Sequence, residues 1–296
     1  MTSSGRSDSH GAAALAERPV GLVGLGLIGG SLGLDLQAKG LEVRALVHRD
    51  STAERARQRQ LAQRIETDPQ VLQGCGLIVL ALPLDRLLDP PQELRQALPV
   101  DAVITDVGSV KRPVLERWRR WHPRFVASHP MAGTAEAGVE AGLTGLFAGR
   151  PWVATPDDET DPAAVALVQE LAELVGARWL HCPAGAHDQA VALISHMPVL
   201  VSAALLEAAD QGGDAAAAAA LVRQLASSGF ADTSRIGGGN PELGTLMARC
   251  NREAVLSALG QYRLQLEQLE ALVQEEQWDA LEQRLTACQR LRPDFL

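Results

Sequence analysis

The sequence lacks an excess of positive charge, a cysteine framework, a long hydrophobic run and, from residue 184 onward, any lysine. Its 27 basic residues stand against 36 acidic ones, a net charge of −9. Nucleic-acid backbones and anionic membrane surfaces are gripped by basic faces, so neither is an expected partner, and a small molecule is. The cysteines, Cys75, Cys182, Cys250 and Cys288, are far apart and show no CxxC spacing. That argues against a zinc site or disulfide framework and fits a reducing cytoplasm; no metal is expected. No run approaches the ~18 apolar residues of a membrane-spanning helix. Residues 1–18 hold Ser, Gly and mixed charge, with an Ala-rich patch too weakly apolar for a signal segment, and read as a loose tail.

What is present is an alternation. At 46% hydrophobic over 296 residues the chain can bury a core, most simply as two domains of roughly 100–200 residues each. VGLVG (20–24), VRALV (43–47), LIVLAL (77–82), AVITDV (102–107), FVAS (125–128), WVAT (152–155) and RWLHC (178–182) are strand-length, with helical patterns between most of them. Gly40 closes the first helix as a C-cap. Strands apolar throughout and separated by helices predict an α/β fold, a doubly wound, mostly parallel sheet covered on both faces. After Cys182 every periodic segment is helical, including AAAAAA at 215–220 and a continuous run of about 35 residues from Pro241. The expected organisation is therefore a tail over 1–18, an α/β domain over 19–183 and an all-helical domain over 184–296. Helices so long and apolar seldom stand alone, which predicts packing against a second copy, a homodimer.

GLGLIG, residues 24–29, is a G-x-G-x-x-G hexapeptide that follows a strand and opens a helix. Gly24, Gly26 and Gly29 allow a tight turn, a close approach of backbone to a pyrophosphate, and close packing of helix on strand. The helix start at Leu27 and Ile28 offers amides to the anion, so the segment reads as a dinucleotide site of Rossmann type. About 20 residues further on, an NAD binder places an acid against the ribose 2′-hydroxyl. Here the second strand ends in LVHRDST. His48 stands where the acid is expected, Arg49 offers a cationic fork, and Ser51 and Thr52 offer hydroxyls, which suits the 2′-phosphate of NADP. Asp50 is the contrary residue. Leu82 and Pro83, at the end of the 77–82 strand, are a third candidate segment for the cofactor, or simply a strand terminus.

The chemistry-bearing residues gather at strand ends. DVGSVK (106–111) carries Ser109 just past the carboxyl edge of its strand, and FVASHPMAGT delivers His129 from the next. Both can relay a proton. Pro130 holds the backbone at His129 extended, and Gly133 lets the loop turn beside a ligand. In the helical half, DTSRIGGGNPELG (232–244) sets Arg235 before three glycines; it is either a carboxylate-binding arginine or a surface arginine tied to Asp232. His196, within an apolar helical pattern, is a second-rank candidate beside its reading as a core histidine. His187 and Asp188 are cleft residues or helix caps.

GLVGLGLIGGSLG, TDVGSVK, SHPMAGT, HDQAVALISHMPVLVSAAL and DTSRIGGGNPEL, in this order, resemble the TyrA family of prephenate and arogenate dehydrogenases. The likeness runs from about Val20 to the end, and the last block is most similar to the cyanobacterial NADP-dependent arogenate dehydrogenases. It implies a dinucleotide domain followed by a helical dimerisation domain, in a cytoplasmic enzyme of tyrosine biosynthesis. It also implies roles: His129 as the base that takes the substrate's ring-hydroxyl proton, Ser109 hydrogen-bonded at the same place, and Arg235 on the ring carboxylate. Thr134 and His196 are implied as further substrate contacts. Two departures stand out. Ala135 replaces an acid found in many prephenate-using relatives, and Val199 stands where some relatives have a second histidine. Both fit arogenate over prephenate as substrate. Neither a fused chorismate mutase domain nor a regulatory domain after Leu291 is expected, since the sequence has no room for the first and no candidate segment for the second. Rival readings are a β-hydroxyacid dehydrogenase, which needs a lysine that the helical half lacks, and a non-catalytic NADP sensor, which needs neither His129 nor Arg235.

Overall fold

The computed structural model describes residues 15–134, 136–211 and 216–295. Short strand-forming segments, most of them largely apolar, pair side by side into a six-stranded parallel sheet in the order β3-β2-β1-β4-β5-β6. Its strands are β1 (Val20–Val23), β2 (Val43–Leu46), β3 (Arg64–Glu66), β4 (Leu77–Leu80), β5 (Val103–Asp106) and β6 (Phe125–Val126). β1, β4 and β5 are buried at every position, as a sheet covered on both faces requires. The covering helices are α1 (Leu27–Ala38), α2 (Asp50–Gln58), α3 (Leu84–Leu88), α4 (Gln92–Ala97), α5 (Arg112–Trp118) and α6 (Pro162–Leu174). One core cluster joins Leu22, Leu32 and Val79 to Val168 and Leu171, and another lies around Ile78, Ile104 and Trp118. Gly40 follows α1 at φ +84, the left-handed cap expected of it. The order 3-2-1-4-5-6 is the doubly wound arrangement in which ligands meet the carboxyl ends of the strands, at the reversal between β1 and β4.

Four features depart from the sequence expectations. β3 went unrecognised because only Ile65 of its three residues is buried. The FVAS run splits at Ala127: β7 (Ser128–Pro130), β8 (Pro151–Ala154) and β9 (Arg178–His181) form a separate three-stranded sheet, with β7 antiparallel to β8. His129 thus lies within a strand, opposite Val153, rather than in a loop. The end of the tail is docked, since Leu15 is buried and Arg18 donates to the carbonyls of Gly74 and Cys75 and pairs with Asp101; residues 1–14 lie outside the described part. Finally, the helix from Pro241 is broken at Asn251 into α11 (Pro241–Cys250) and α12 (Arg252–Gln274), because Asn251 leaves helical geometry at φ −119°, ψ 34°.

The remaining chain is helical: α7 (Ala184–Val191), a π turn (Ala192–His196), α8 (Met197–Gln211), α9 (Ala216–Leu225), α10 (Ser228–Ser234) and α13 (Trp278–Leu291). Ala215 of the alanine run lies outside the described residues, and its continuation begins α9. α7, the π turn and α8 run on as one helix from Ala184 to Gln211 that is long and apolar enough, by length and composition, to cross a bilayer. The expectation that no such run exists therefore does not hold. The run escapes notice because His187, Asp188 and His196 interrupt it, and these residues are bonded into the protein interior.

Candidate active site

The glycine loop has the shape that a dinucleotide demands. Gly24 lies at φ +94, and a Cβ there would meet the Ala81 carbonyl at 2.4 Å, so only glycine makes this turn. A Cβ on Gly29 would come within 2.0 Å of the Gly24 carbonyl, which fixes α1 tightly on its strand. A Cβ on Gly26 would meet nothing within 4 Å. The middle glycine thus faces open space where a ligand's pyrophosphate would lie, at the N-cap of a helix with no side-chain cap and no acid in its first turn. The first amides of that helix have no intrahelical acceptor, so they are available to an anion.

Two strands along, β5 ends in Asp106 and the chain turns through Gly108 and Ser109. With strands spaced about 4.8 Å apart, this segment lies roughly 10 Å from the glycine loop along the same sheet edge. A buried ion pair between Asp106 and Lys111 closes the turn, and Asp106 also accepts the Gly108 amide at 2.8 Å. Burial pushes the Asp106 carboxyl up and the Lys111 ammonium down from their ordinary values, against their mutual attraction. Lys111 further donates to the Ser128 carbonyl at 2.6 Å, while the Ser128 hydroxyl binds Thr105, the Asp106 carbonyl and the Trp152 indole. The residue before His129 is thereby locked to the turn that carries Ser109. The Ser109 hydroxyl oxygen is itself buried with no hydrogen-bond partner among the described residues.

His129 Nδ1 lies 3.0 Å from His187 Nε2, and His187 Nδ1 lies 2.9 Å from Asp188 Oδ1. Asp188 also accepts the amides of Lys111 at 2.7 Å and Arg112 at 2.9 Å, two and three residues beyond Ser109. Its backbone carbonyl accepts Asn251 Nδ2 at 2.7 Å, and the same amide reaches His196 Nδ1 at 3.2 Å. The π turn at Ala192–His196 places that imidazole with its Nε2 buried and without a partner among the described residues. His129 is held well below the usual histidine pKa, first by desolvation and then by His187, Lys111 and His196. Burial likewise takes His196 down to about 4. His129, His187, Asp188, Asn251 and His196 form one hydrogen-bonded assembly, which can accept a proton at His129.

The other predicted residues stand apart from this assembly. Arg235 is exposed in the turn after α10, with no ion pair to Asp232 among the described residues. Its loop is fastened to α8 by Ser202, which donates to the Thr233 carbonyl and accepts the Gly237 amide. Of the three glycines Gly237 is the most closely packed, where a Cβ would meet Ala203 N at 2.5 Å, and a Cβ on Gly239 would meet the Ile236 carbonyl at 3.1 Å. Thr134 is exposed and its hydroxyl accepts the Glu136 amide; Ala135 lies outside the described residues, and Val199 is half-buried. His48 and Arg49 are exposed just before α2, with Ser51 and Thr52 in its first turn. Asp50 accepts from the Thr67 hydroxyl at 3.1 Å. Leu82 and Pro83 follow β4 beside the glycine loop, Leu82 with a methyl 3.5 Å from the Gly24 Cβ position.

Sequence reasoning overlooked Asp106, Lys111, Ser128 and Asn251. Lys111 was within a motif already quoted, and an Asn inside a long helical pattern is a cap residue that could have marked the break.

The chain matches two family models, prephenate dehydrogenase, nucleotide-binding domain, over residues 32–181 and prephenate dehydrogenase, dimerization domain, over residues 183–287. It is similar to the crystal structure of Synechocystis arogenate dehydrogenase, at 40% identity and a TM-score of 0.80, covering 94% of this chain and 100% of that one. It is also similar to prephenate dehydrogenase from A. aeolicus in complex with hydroxyphenyl propionate and NAD+, at 26% identity and a TM-score of 0.87, covering 94% and 98%. Among curated proteins, the cyclohexadienyl dehydrogenase of Zymomonas mobilis is 29% identical over 278 residues, 92% of this chain and 94% of that protein. With both models matched in order along its length, the chain belongs to the prephenate dehydrogenase family.

Proposed function

We propose that the chain is an NADP-dependent arogenate dehydrogenase that converts L-arogenate to L-tyrosine by oxidative decarboxylation. One observation carries the cofactor half: where an acid would hold a ribose diol, the chain offers His48, Arg49, Ser51 and Thr52 at a helix start, while Asp50 is engaged by Thr67. The substrate half is supported by the likeness to the Synechocystis protein and by Val199 in place of a histidine.

In this reading Gly24, Gly26, Leu27, Ile28 and Gly29 hold the pyrophosphate, and Leu82 and Pro83 flank the same ligand. The bound nicotinamide supplies the hydride acceptor. His129 takes the ring-hydroxyl proton, and Ser109 hydrogen-bonds to the same hydroxyl. Arg235 pairs with the ring carboxylate, which leaves as carbon dioxide as the ring becomes aromatic. Thr134 and His196 contact the substrate. Aromatisation makes the step effectively irreversible, so alignment and proton removal are what the protein contributes, the base roughly 10²–10⁴-fold. The dinucleotide domain ends near Pro183, and residues 184–296 form the substrate and dimerisation domain of a cytoplasmic homodimer.

The test is catalytic efficiency on arogenate and on prephenate, each with NADP and with NAD. The arogenate and NADP pairing should be highest. A higher value on prephenate overturns the substrate assignment, and equal or better use of NAD overturns the cofactor assignment.

A further inference from the structure

Asp188 is buried at the start of the helical half, yet its contacts reach both halves of the chain. Its carboxylate can only accept hydrogen bonds. Two of those come from backbone amides, Lys111 on Oδ1 and Arg112 on Oδ2, and cap the helix that follows the Ser109 turn. The third donor is His187, whose Nδ1 must therefore carry a proton. In a neutral His187 the other nitrogen, Nε2, is then a lone pair. The atom it meets is His129 Nδ1, at 3.0 Å, which must donate. That leaves His129 Nε2, the remaining nitrogen of a neutral ring, as an acceptor.

The same residue sets His196 by a second route. Asn251 Nδ2 donates to the Asp188 carbonyl at 2.7 Å, which orients the amide with nitrogen toward the histidines. Its second hydrogen meets His196 Nδ1 at 3.2 Å, so that nitrogen accepts and His196 Nε2 bears the proton. This Nε2 is the buried atom without a partner among the described residues.

We propose that Asp188 is a positioning residue that sets both histidines with opposite polarity, through His187 for His129 and through Asn251 for His196. His129 Nε2 accepts and His196 Nε2 donates. This rests on the reading of His129 as the base. When His129 Nε2 gains the substrate's hydroxyl proton, its Nδ1 proton remains in the hydrogen bond to His187. The resulting positive charge is spread toward the Asp188 carboxylate, which stays ionised. His196 Nε2 offers its proton to an acceptor atom of the substrate.

Three variants test this: His187→Leu, His187→Gln and Asp188→Asn. They are measured for kcat, KM, NADP affinity, melting temperature and histidine ¹⁵N signals. His187→Leu should lower kcat at least roughly tenfold, a part of the roughly 10²–10⁴-fold that a general base supplies, and leave NADP affinity unchanged. His187→Gln presents a carbonyl oxygen to His129 Nδ1 and should recover much of that loss. Asp188→Asn can turn its NH₂ to His187 Nδ1, which reverses the chain and protonates His129 Nε2. Its kcat should fall while the His129 ¹⁵N signals exchange their lone-pair and protonated positions. A kcat for His187→Leu within twofold of wild type overturns the proposal, as does His187→Gln no better than His187→Leu. If Asp188→Asn fails to fold, the two His187 variants still decide. His129→Asn separates the readings: full turnover there removes the base assignment itself, whereas loss there with unimpaired His187→Leu removes only the positioning role.

Discussion

At the scale of single residues, the buried histidines couple activity and stability to pH. Unfolded, His196 would take up a proton near pH 6.5; folded, it declines one until about pH 4, chiefly because burial strips water from the imidazolium. The unfolded chain therefore binds more protons between those values, and stability falls as pH drops through that window. The loss from His196 is roughly 3 kcal/mol by pH 4, and His129 and His122, also shifted down, add to it. Denaturant melts at pH 7.5 and pH 4.5 should show a lower midpoint at the acidic value; equal midpoints contradict the buried neutral pair. For the same reason catalytic efficiency should hold its plateau down to pH 6.5 and decline only below it. Arg235→Ala should raise KM for the substrate with little change in NADP affinity, through loss of a charge-assisted pair of about 1.5–3 kcal/mol. An unmoved KM removes Arg235 from the substrate site. The placement of His129 and Ser109 near the carboxyl ends of strands was legible in the sequence, because strand-length apolar runs end just before each. The contacts of Asp188 were not, since its partners Lys111 and Asn251 lie 77 and 63 residues away, and no local pattern reports such a pairing.

At the scale of elements, the three glycines of the first turn separate binding from folding. A methyl group on Gly26 meets open protein space, so Gly26→Ala should melt at or above the wild-type temperature while NADP affinity falls. Gly29→Ala places a methyl against the Gly24 carbonyl and should lower the melting temperature instead. If Gly26→Ala binds NADP as well as wild type, the pyrophosphate does not lie over that glycine. The strand-to-helix turn was readable because its glycines keep a fixed spacing. The second sheet was not, because FVASHP reads as one strand and the step at Ala127 from one sheet to the other is made by long-range pairing with β8. At the break after Cys250, the Asn251 side chain reaches the Asp188 carbonyl and His196, contacts no local pattern reports.

At the scale of the molecule, the two halves differ in how well they close on themselves. The sheet half holds the two large core clusters, while the small helical cluster has only Ala192, Val255 and Ala258 fully buried. Leu256, Leu264 and Leu266 of α12, with Ile194 and Leu285, remain exposed. Their number favours cover from a second copy, in keeping with the dimerization-domain match. Sedimentation should give twice the 31.5 kDa chain mass, and a monomer at micromolar concentration contradicts this. The division into an α/β half and a helical half was plain in the sequence, since strand-length runs stop at Cys182. The central claim is that His129 removes the proton while the glycine loop independently holds the cofactor. The most direct test is His129→Asn, measured for NADP affinity and for single-turnover oxidation of arogenate. NADP should bind as to wild type while the turnover rate falls roughly 10²–10⁴-fold; an undiminished rate would contradict the account.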